Sequence, residues 1–478
     1  MSDAVSISAA ERRRFLAPLA LAQFICSFAG SNMNVMINDI TKDLDTTVAG
    51  VQAAITLFLL VMAVLMIPCS KLTDRWGRKR CFTGGLVLYG IGALLSALSP
   101  GLGVLILGNS VLEGIGTALL IPPVYILTTL HFSEVTSRAR AFGIISGMGG
   151  IGAAAGPLIG GFITEAISWR AAFVFQAAVV VLIVALSRRM KDPIAADPTR
   201  PFDVVGAILS AVGMFCIVFG ILQADNNAAL MAAFLVAGVA LLLWFFLHIR
   251  GVERAGKEPL LSTGLFKNRT SNLGLITQNI QWLLLMGTSF VVAVFLQTVR
   301  GYNAIETGLI FTAATLGILS SSLAAERLAK RRPQKTLIVA GFVATIAGIV
   351  LLLALVGASS RVIAFAPGLL LIGLGLGVML TPSVNIVQSS FPEQLQGEIS
   401  GLSRSVSNLG SSFGTAIAGT ILVSDLASGN TTYRLAMVLL AAVGLIGLGA
   451  ATRLPRSPDQ PRTSTSNVVT TNVANSLP

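Results

Sequence analysis

The sequence predicts an all-α membrane protein with fourteen transmembrane helices, and three observations support this prediction. Hydrophobic residues make up 54% of the 478 residues and charged residues only 11%, whereas soluble domains carry about 25% charged residues. The chain contains fourteen apolar runs that reach or nearly reach the ~20 residues needed to cross a bilayer. Loops that are rich in lysine and arginine alternate along the chain with loops that contain few of them, as in other multi-pass membrane proteins.

The apolar runs must be helices, because lipid cannot hydrogen-bond the backbone and each spanning segment has to satisfy its own N–H and C=O groups. We number the predicted helices α1 to α14 in chain order. Their approximate limits are 15–38, 50–69, 81–99, 102–127, 140–164, 170–187, 204–223, 228–248, 272–297, 305–325, 336–357, 362–386, 399–423 and 434–452.

The distribution of basic residues predicts that both termini are cytoplasmic. If the N-terminus lies inside, only five of the 33 lysines and arginines fall in outside loops. These five are Lys42, Arg170, Arg300, Arg361 and Arg434. A miscounted early helix would scramble the alternation, so the bias also supports the helix count. The compact loops favour a multi-pass protein of the plasma (inner) membrane.

Composition argues against several other classes of function. The net charge of +12 indicates cytoplasmic loops and not a nucleic-acid surface, since the basic residues are scattered between apolar runs. The cysteines lack CxxC spacing, so we expect neither a disulfide framework nor a metal site. No GxxxxGK[ST] string and no nucleophile triad pattern is present. We therefore expect no catalytic residues, no cofactor and no enzymatic activity.

Two loops in corresponding places indicate an internal repeat. The loop after α2, SKLTDRWGRKR (70–80), resembles the loop after α10, LAAERLAKRR (323–332). Aligning Asp74 with Glu326 gives both loops an acid followed by basic residues. Internal repeats of this kind are typical of transporter folds. The alternative is that both loops are basic only because they are cytoplasmic.

The repeat predicts two six-helix halves separated by two inserted helices. The C-terminal tail is rich in Ser, Thr, Asn and Pro and has no apolar period, so we expect it to be disordered. The predicted regions are a cytoplasmic N-terminus (1–14), an N-terminal half (15–187), a linker (188–202), the inserted helices (203–250), a cytoplasmic loop (251–271), a C-terminal half (272–453) and the tail (454–478).

Two motifs stand out within this framework. The loop after α2 carries Leu72, Asp74, Arg75, Gly77, Arg78 and Lys79. Helix α5 contains GMGGIGAAAGPLIGG (147–161), in which the motif residues are Gly152, Gly156, Pro157, Gly160 and Gly161. Small residues four apart allow two helices to approach closely, and a proline permits a bend.

On these motifs, the helix count and the repeat, the chain resembles the major facilitator superfamily over about residues 15–453. It looks most like the fourteen-helix drug/proton antiporter branch, the EmrB/QacA-type exporters, with Ser70 replacing the first glycine of the loop pattern G-x-L-a-D-r-x-G-r-k. The resemblance implies that Asp74 and Arg78 form a charge cluster that latches the halves in one conformation. It also implies that the α5 motif marks exporters whose halves rock about α5 and α13.

The chain departs from the family at two positions linked to proton transfer. The α1 acid corresponds to Ala29, and the α4 arginine, four residues before Gly114, corresponds to Ser110. Glu113 remains as an intramembrane charge, which costs about 3 kcal/mol at mid-membrane. We hypothesise that Glu113 titrates during transport or pairs with a cationic substrate. The alternative is a structural carboxylate, hydrogen-bonded to Asn109 or to a neighbouring helix.

Other polar residues within the predicted spans are candidates for the substrate or proton pathway, because the first and fourth helices of each half line the cavity in this fold. With Asn109, they are Gln23, Asn32, Asn34, Gln278, Gln281, Asn385 and Gln388. Some of these amides will instead join neighbouring helices. Arg404 also lies inside α13, near its predicted cytoplasmic end, where a long side chain can extend to the interface.

The sequence therefore favours a secondary active exporter that moves amphipathic drugs or metabolites by alternating access, in exchange for protons. The partners implied are a small amphipathic substrate, protons and the lipid bilayer. One alternative is a proton-independent facilitator or lipid flippase on the same fold. A more remote alternative is a non-transporting membrane sensor, but the longest internal loop, about 249–270, is too short for a folded domain.

Overall fold

A computed structural model describes residues 9–132, 135–190, 192, 195–223, 227–329, 331–358, 361–392, 395–423 and 430–455. The described residues contain fourteen long helices, for which we keep the labels α1 to α14. Their bounds are Ala9–Asn32, Val48–Trp76, Arg78–Ala97, Leu102–His131, Val135–Ala166, Trp169–Ser187, Val204–Leu222, Ala228–Arg254, Arg269–Val294, Ala304–Ala329, Gln334–Ala358, Phe365–Gln388, Gln396–Val423 and Asn430–Thr452.

These helices confirm the predicted all-α membrane fold. Thirteen of them are long and apolar enough to cross a bilayer, and α5 brings the number to as many as fourteen. The two parts of α5, Ala141–Ala153 and Ala155–Ala166, meet at an angle of 42°. Pro157 accounts for this bend, because its ring crowds the carbonyl of the residue four positions earlier and removes one backbone hydrogen bond.

Three helices, α1, α4 and α9, contain or adjoin segments that are not regular α-helix. Helix α1 ends at Asn32 and is followed by a 3₁₀ turn, Met33–Val35, and a short helix, Ile37–Asp43. The π-helical segment Ile106–Glu113 lies within α4, and a second one, Phe295–Val299, extends α9. Such wider turns hardly change the length or the mean hydropathy of a span, so hydropathy alone does not reveal them.

The helices form two groups with matching internal contacts. Within the first group, α1 packs on α5 and α6, α4 packs on α2 and α3, and α3 packs on α6. Eight helices later, α9 packs on α13 and α14, α12 packs on α10 and α11, and α11 packs on α14. This correspondence is what a duplicated six-helix unit would produce. The residue boundaries of the halves stay a prediction.

Two helix pairs join the groups, and we call them the α2–α13 seam and the α5–α10 seam. The inserted helix α7 packs on both α2 and α13, where Leu60 and Val64 contact Met214 and Val218. Thr420 on α13 donates a hydrogen bond to the carbonyl of Ile221 at 3.3 Å. Among the described residues, neither α7 nor α8 packs to a comparable extent on α5 or α10. The inserted helices therefore cover one seam.

Candidate functional site

One end of the bundle, which we call the Asp74 end, carries the motif loop after α2. Asp74 Oδ1 accepts a hydrogen bond from Arg78 Nη2 at 2.6 Å, and Asp74 Oδ2 accepts one from Arg200 Nη1 at 2.8 Å. Gly77 adopts φ +93°, so the turn between α2 and α3 favours glycine at this position. The backbone N–H of Lys79 donates to Asp192 Oδ2 at 3.2 Å. The structure thus brings together the predicted pair, Asp74 and Arg78, and adds a linker arginine.

A second charged contact at this end joins α2 to α13. Lys71 Nζ lies 2.7 Å from Glu398 Oε1, and Glu398 Oε2 accepts a hydrogen bond from the backbone N–H of Ser262 at 3.0 Å. Glu398 therefore connects both groups to the loop after α8. This contact is not predictable from the sequence, because a lysine and a glutamate separated by 327 positions carry no local signal.

The charged contacts surround a small cavity of about 80 Å³ at the Asp74 end. Lys71, Asp74, Arg200 and Glu398 line it together with the apolar residues Ile67, Ile126, Leu260 and Leu261. Leu72 and Arg75, the remaining motif residues, are half-buried beside this cluster. A cavity of this size has room for a few water molecules but not for a drug-sized molecule, so the charged contacts leave this end narrow in the conformation described.

The α5 motif is used for close packing on two neighbours. A side chain at Gly152, Gly156 or Gly160 would press against α1, within about 3.1 Å of Phe24, Phe28 or Asn32. A Cβ at Gly161 would lie 3.0 Å from the carbonyl carbon of Ala304 on α10. In return, a Cβ at Gly308 would lie 3.1 Å from the carbonyl carbon of Pro157. The motif therefore brings α1, α5 and α10 into backbone contact.

The α5–α10 seam is closed at one end and parted at the other. The close contacts lie near the C-terminal end of α5, whereas Gly143, Gly147 and Gly150, nearer the Asp74 end, have no atom of the described residues within 4 Å of a Cβ position. At the closed end, Gln297 Nε2 donates to the carbonyl of Asn34 at 2.7 Å and Gln297 Oε1 accepts from Asn38 N–H at 3.0 Å. We call this the Gln297 end.

Glu113 lies inside the first group, not between the two groups. It is fully buried in the π-helical segment of α4. Its Oε1 accepts a hydrogen bond from Ser96 Oγ on α3 at 3.5 Å, and its Cγ packs beside Gly92. Its Oε2 accepts no hydrogen bond within the described part of the chain. The hydrogen bond from Ser96 to one carboxylate oxygen is of the kind that the structural alternative predicts. Titration of Glu113 during transport stays a prediction.

The predicted amides divide into three environments. Gln278, Gln281 and Gln388 hydrogen-bond within the second group, to Ser403 Oγ at 2.9 Å, the Leu376 carbonyl at 3.3 Å and Ser400 Oγ at 3.4 Å. Asn32, Asn34 and Asn109 are buried, and each has a side-chain atom without a hydrogen-bond partner among the described residues. Asn385 is exposed. The first set joins helices, while the others retain polar atoms for a ligand or water.

Gln23 belongs to a polar chain that crosses between the groups. Its Oε1 accepts a hydrogen bond from the Tyr125 hydroxyl at 3.2 Å, and its Nε2 donates to Ser27 Oγ at 3.2 Å. Arg404 Nη2 donates to the same Tyr125 hydroxyl, and the guanidinium carbon lies 4.8 Å from the Tyr125 ring centroid. The position of Arg404 in the sequence predicts a side chain that extends to the interface, but in the structure this side chain crosses to α4. The feature of the sequence that could have indicated this contact is the presence of an arginine within a membrane-spanning helix.

Comparison with known proteins gives consistent matches over most of the chain. The family described as Major Facilitator Superfamily matches residues 19–415. The puromycin resistance protein pur8 of Streptomyces alboniger is 29% identical over 85% of this chain and 81% of its own. The multidrug efflux pump LfrA of Mycolicibacterium smegmatis is 28% identical over 86% and 80%. The multidrug resistance protein Stp of Mycobacterium tuberculosis is 26% identical over 83% and 73%.

Proposed function

The chain belongs to the Major Facilitator Superfamily, and we propose that it exports amphipathic drugs or metabolites by alternating access. Similarity to its relatives supports a multi-pass membrane transporter of small molecules. The observation that carries the proposal is similarity over 83–86% of the chain to proteins named for puromycin resistance, multidrug resistance and multidrug efflux. We place the protein in the plasma (inner) membrane with both termini in the cytoplasm, as the basic loops predict.

The contacts between the groups supply the physical means for alternating access. The Gln297 end is closed by hydrogen bonds and by glycine contacts between α5 and α10. The Asp74 end is held at the α2–α13 seam by charged side chains around a cavity. Breaking one set of contacts while the other holds would expose a central site to one side at a time.

We propose protons as the driving ion, with Glu113 as the titrating group. A buried carboxylate with an oxygen that lacks a hydrogen-bond donor can take up a proton at low cost, because protonation removes the buried charge. The rival is a proton-independent facilitator or flippase on the same fold. Ala29 and Ser110, which stand where the resemblance expects proton-transfer residues, favour this rival.

Reconstituted liposomes holding a pH-sensitive dye test both parts of the proposal. The full-length protein would be supplied with puromycin, ethidium and a neutral amphiphile. We expect substrate movement coupled to counter-movement of protons, and we expect Glu113→Gln to abolish the proton signal. The matched control is Glu165→Gln, at the exposed end of α5, which should behave as wild type.

The outcomes separate the alternatives. Substrate movement without proton movement in wild type and in Glu113→Gln would replace the antiporter by the facilitator or flippase. Proton coupling that survives Glu113→Gln would retain antiport and assign titration to another group. If wild-type protein moves none of the amphiphiles, the exporter proposal is wrong.

A further inference from the structure

Arg404 is a cation placed between the two helix groups, well inside α13. It lies eight residues beyond the first residue of α13, Gln396, a rise of about 12 Å along the helix. Its guanidinium contacts Tyr125 of the other group through a hydrogen bond and through the ring face. A charge at this depth is costly to insert, so it requires a partner or a role.

The partners of Arg404 among the described residues are neutral. No carboxylate there forms an ion pair with its guanidinium, although ion pairs such as Lys71–Glu398 occur elsewhere. The Tyr125 hydroxyl uses one of the five N–H donors of the guanidinium. The side chain is half-buried, so the other donors remain accessible to a ligand. The local chemistry therefore offers positive charge and N–H donors without a resident anion.

An aromatic wall stands beside this cation. Phe142 on α5 stacks on Tyr125 with ring centroids 5.8 Å apart and an interplanar angle of 19°. On the same part of α5, Gly143 and Gly147 leave the space around a Cβ position open for 4 Å. A flat ring can stack against such a wall while an attached oxygen reaches the guanidinium.

We propose that Arg404, Tyr125 and Phe142 form a recognition site for planar aromatic substrates that carry an acidic group, such as a carboxylate or a phenolate. A carboxylate can accept two parallel N–H bonds from a guanidinium, a geometry that a neutral or cationic ring cannot use. The proposal rests on the proposed export function, because it names the chemical class that the exporter prefers. A preference for acidic aromatic substrates would distinguish this chain from a transporter selective for lipophilic cations.

Equilibrium binding to the purified full-length protein in nanodiscs tests the site without requiring transport. The probes are 2-naphthoate and 2-(aminomethyl)naphthalene, which share a ring and differ in charge. For Arg404→Gln, we expect naphthoate to bind about tenfold or more weakly, as for the loss of a charge-assisted hydrogen bond. Binding of the amine should change by less than about twofold or become tighter, because a repulsive charge is removed.

Two further variants separate recognition from packing. Arg404→Lys keeps the charge but loses the planar fork, so it should bind naphthoate between wild type and Arg404→Gln. Arg434→Gln is the matched control, since Arg434 lies on α14 and lines a different cavity. It should bind both probes as wild type does. Thermal melting of each variant checks that the groups remain associated.

Three results would overturn the inference. The first is unchanged naphthoate binding in Arg404→Gln. The second is an equal loss of both probes with a lowered melting temperature, which would assign Arg404 to packing. The third is a wild-type protein that binds no naphthoate. If naphthoate binding depends on Arg404 but liposomes show no export, the proposed function fails and the site stands.

Discussion

The α2–α13 and α5–α10 seams join the same two helix groups by different chemistry. Along α2–α13, side chains reach across at successive levels: Gln52 to the Ala416 carbonyl at 3.2 Å, Ser412 to the Thr56 carbonyl at 3.1 Å, and Lys71 to Glu398 at 2.7 Å. Along α5–α10, glycines bring backbones into contact near the Gln297 end only. One seam is a series of polar bonds, whereas the other is a steric contact.

This difference suggests how each seam behaves during transport. Polar bonds can be exchanged for water or ligand at low net cost, so the α2–α13 seam can open in steps. A backbone contact has one good geometry, because packed interfaces tolerate little change in volume. The α5–α10 contact is therefore expected to act as a steric gate that parts in one step when the Gln297 end opens, whereas the charged residues of the Asp74 end act as the latch at the other end.

Filling the steric contact is expected to have the largest effect. In Gly161→Leu the new side chain would meet the Ala304 backbone, which cannot retreat as a flexible side chain would. Overpacking typically costs about 1–3 kcal/mol, enough to shift a two-state equilibrium by about fivefold to somewhat more than a hundredfold. Initial transport rates in liposomes should fall by at least about fivefold.

The control for this change is Gly150→Leu on the same helix, where no atom lies within 4 Å of the Cβ position. It should retain most of the wild-type transport rate. Equal losses in the two variants would show that leucine harms α5 for a reason other than the contact with α10, and the interpretation of this contact as a steric gate would fail.

Neutralising the latch is expected to have a smaller effect. Asp74→Asn removes the negative charge that binds Arg78 and Arg200. Arg78 is only 6% exposed, so the change leaves its buried guanidinium without this carboxylate partner. Hydrogen bonds to charged groups contribute about 1.5–3 kcal/mol, less where solvent screens the pair. We expect a severalfold loss of transport rate and increased labelling of a cysteine introduced at Leu261, which lines the adjacent cavity.

The matched control is Asp45→Asn. Asp45 is exposed and adopts φ +46°, a conformation that asparagine tolerates well. This variant should transport at the wild-type rate. If Asp74→Asn also transports and labels like wild type, the Asp74 cluster has no part in closing its end of the molecule.

The sequence was sufficient for the helices because the signals that define them are local. A run of about twenty apolar residues fixes each span, and loop charge fixes the alternation. The pairing of Asp74 with Arg78 was predicted from the family resemblance of the loop after α2. Pro157 supplied a local cause for the bend of α5.

The contacts between the groups were not predictable from one sequence. Lys71 with Glu398, Gln297 with Asn34, and Arg404 with Tyr125 join positions more than 250 residues apart. Which side chains meet depends on the rotation of each helix about its axis, and the π-helical segment of α4 changes that rotation. Glu113 lies in this segment, and its side chain contacts Ser96 on α3. The residue spacing of an ideal α-helix does not predict that contact.

Reversible cross-linking of the α2–α13 seam is the most direct test of alternating access. A Cβ at Gly401 would lie 3.3 Å from Ser70 Cβ, close to the ~3.8 Å typical of a disulfide. With the four native cysteines replaced, Ser70→Cys/Gly401→Cys would join the two groups at the Asp74 end. We predict that oxidation lowers transport at least about tenfold and that a reductant restores it. Full transport by the quantitatively cross-linked protein would contradict the account, because the groups could then work without separating at this seam.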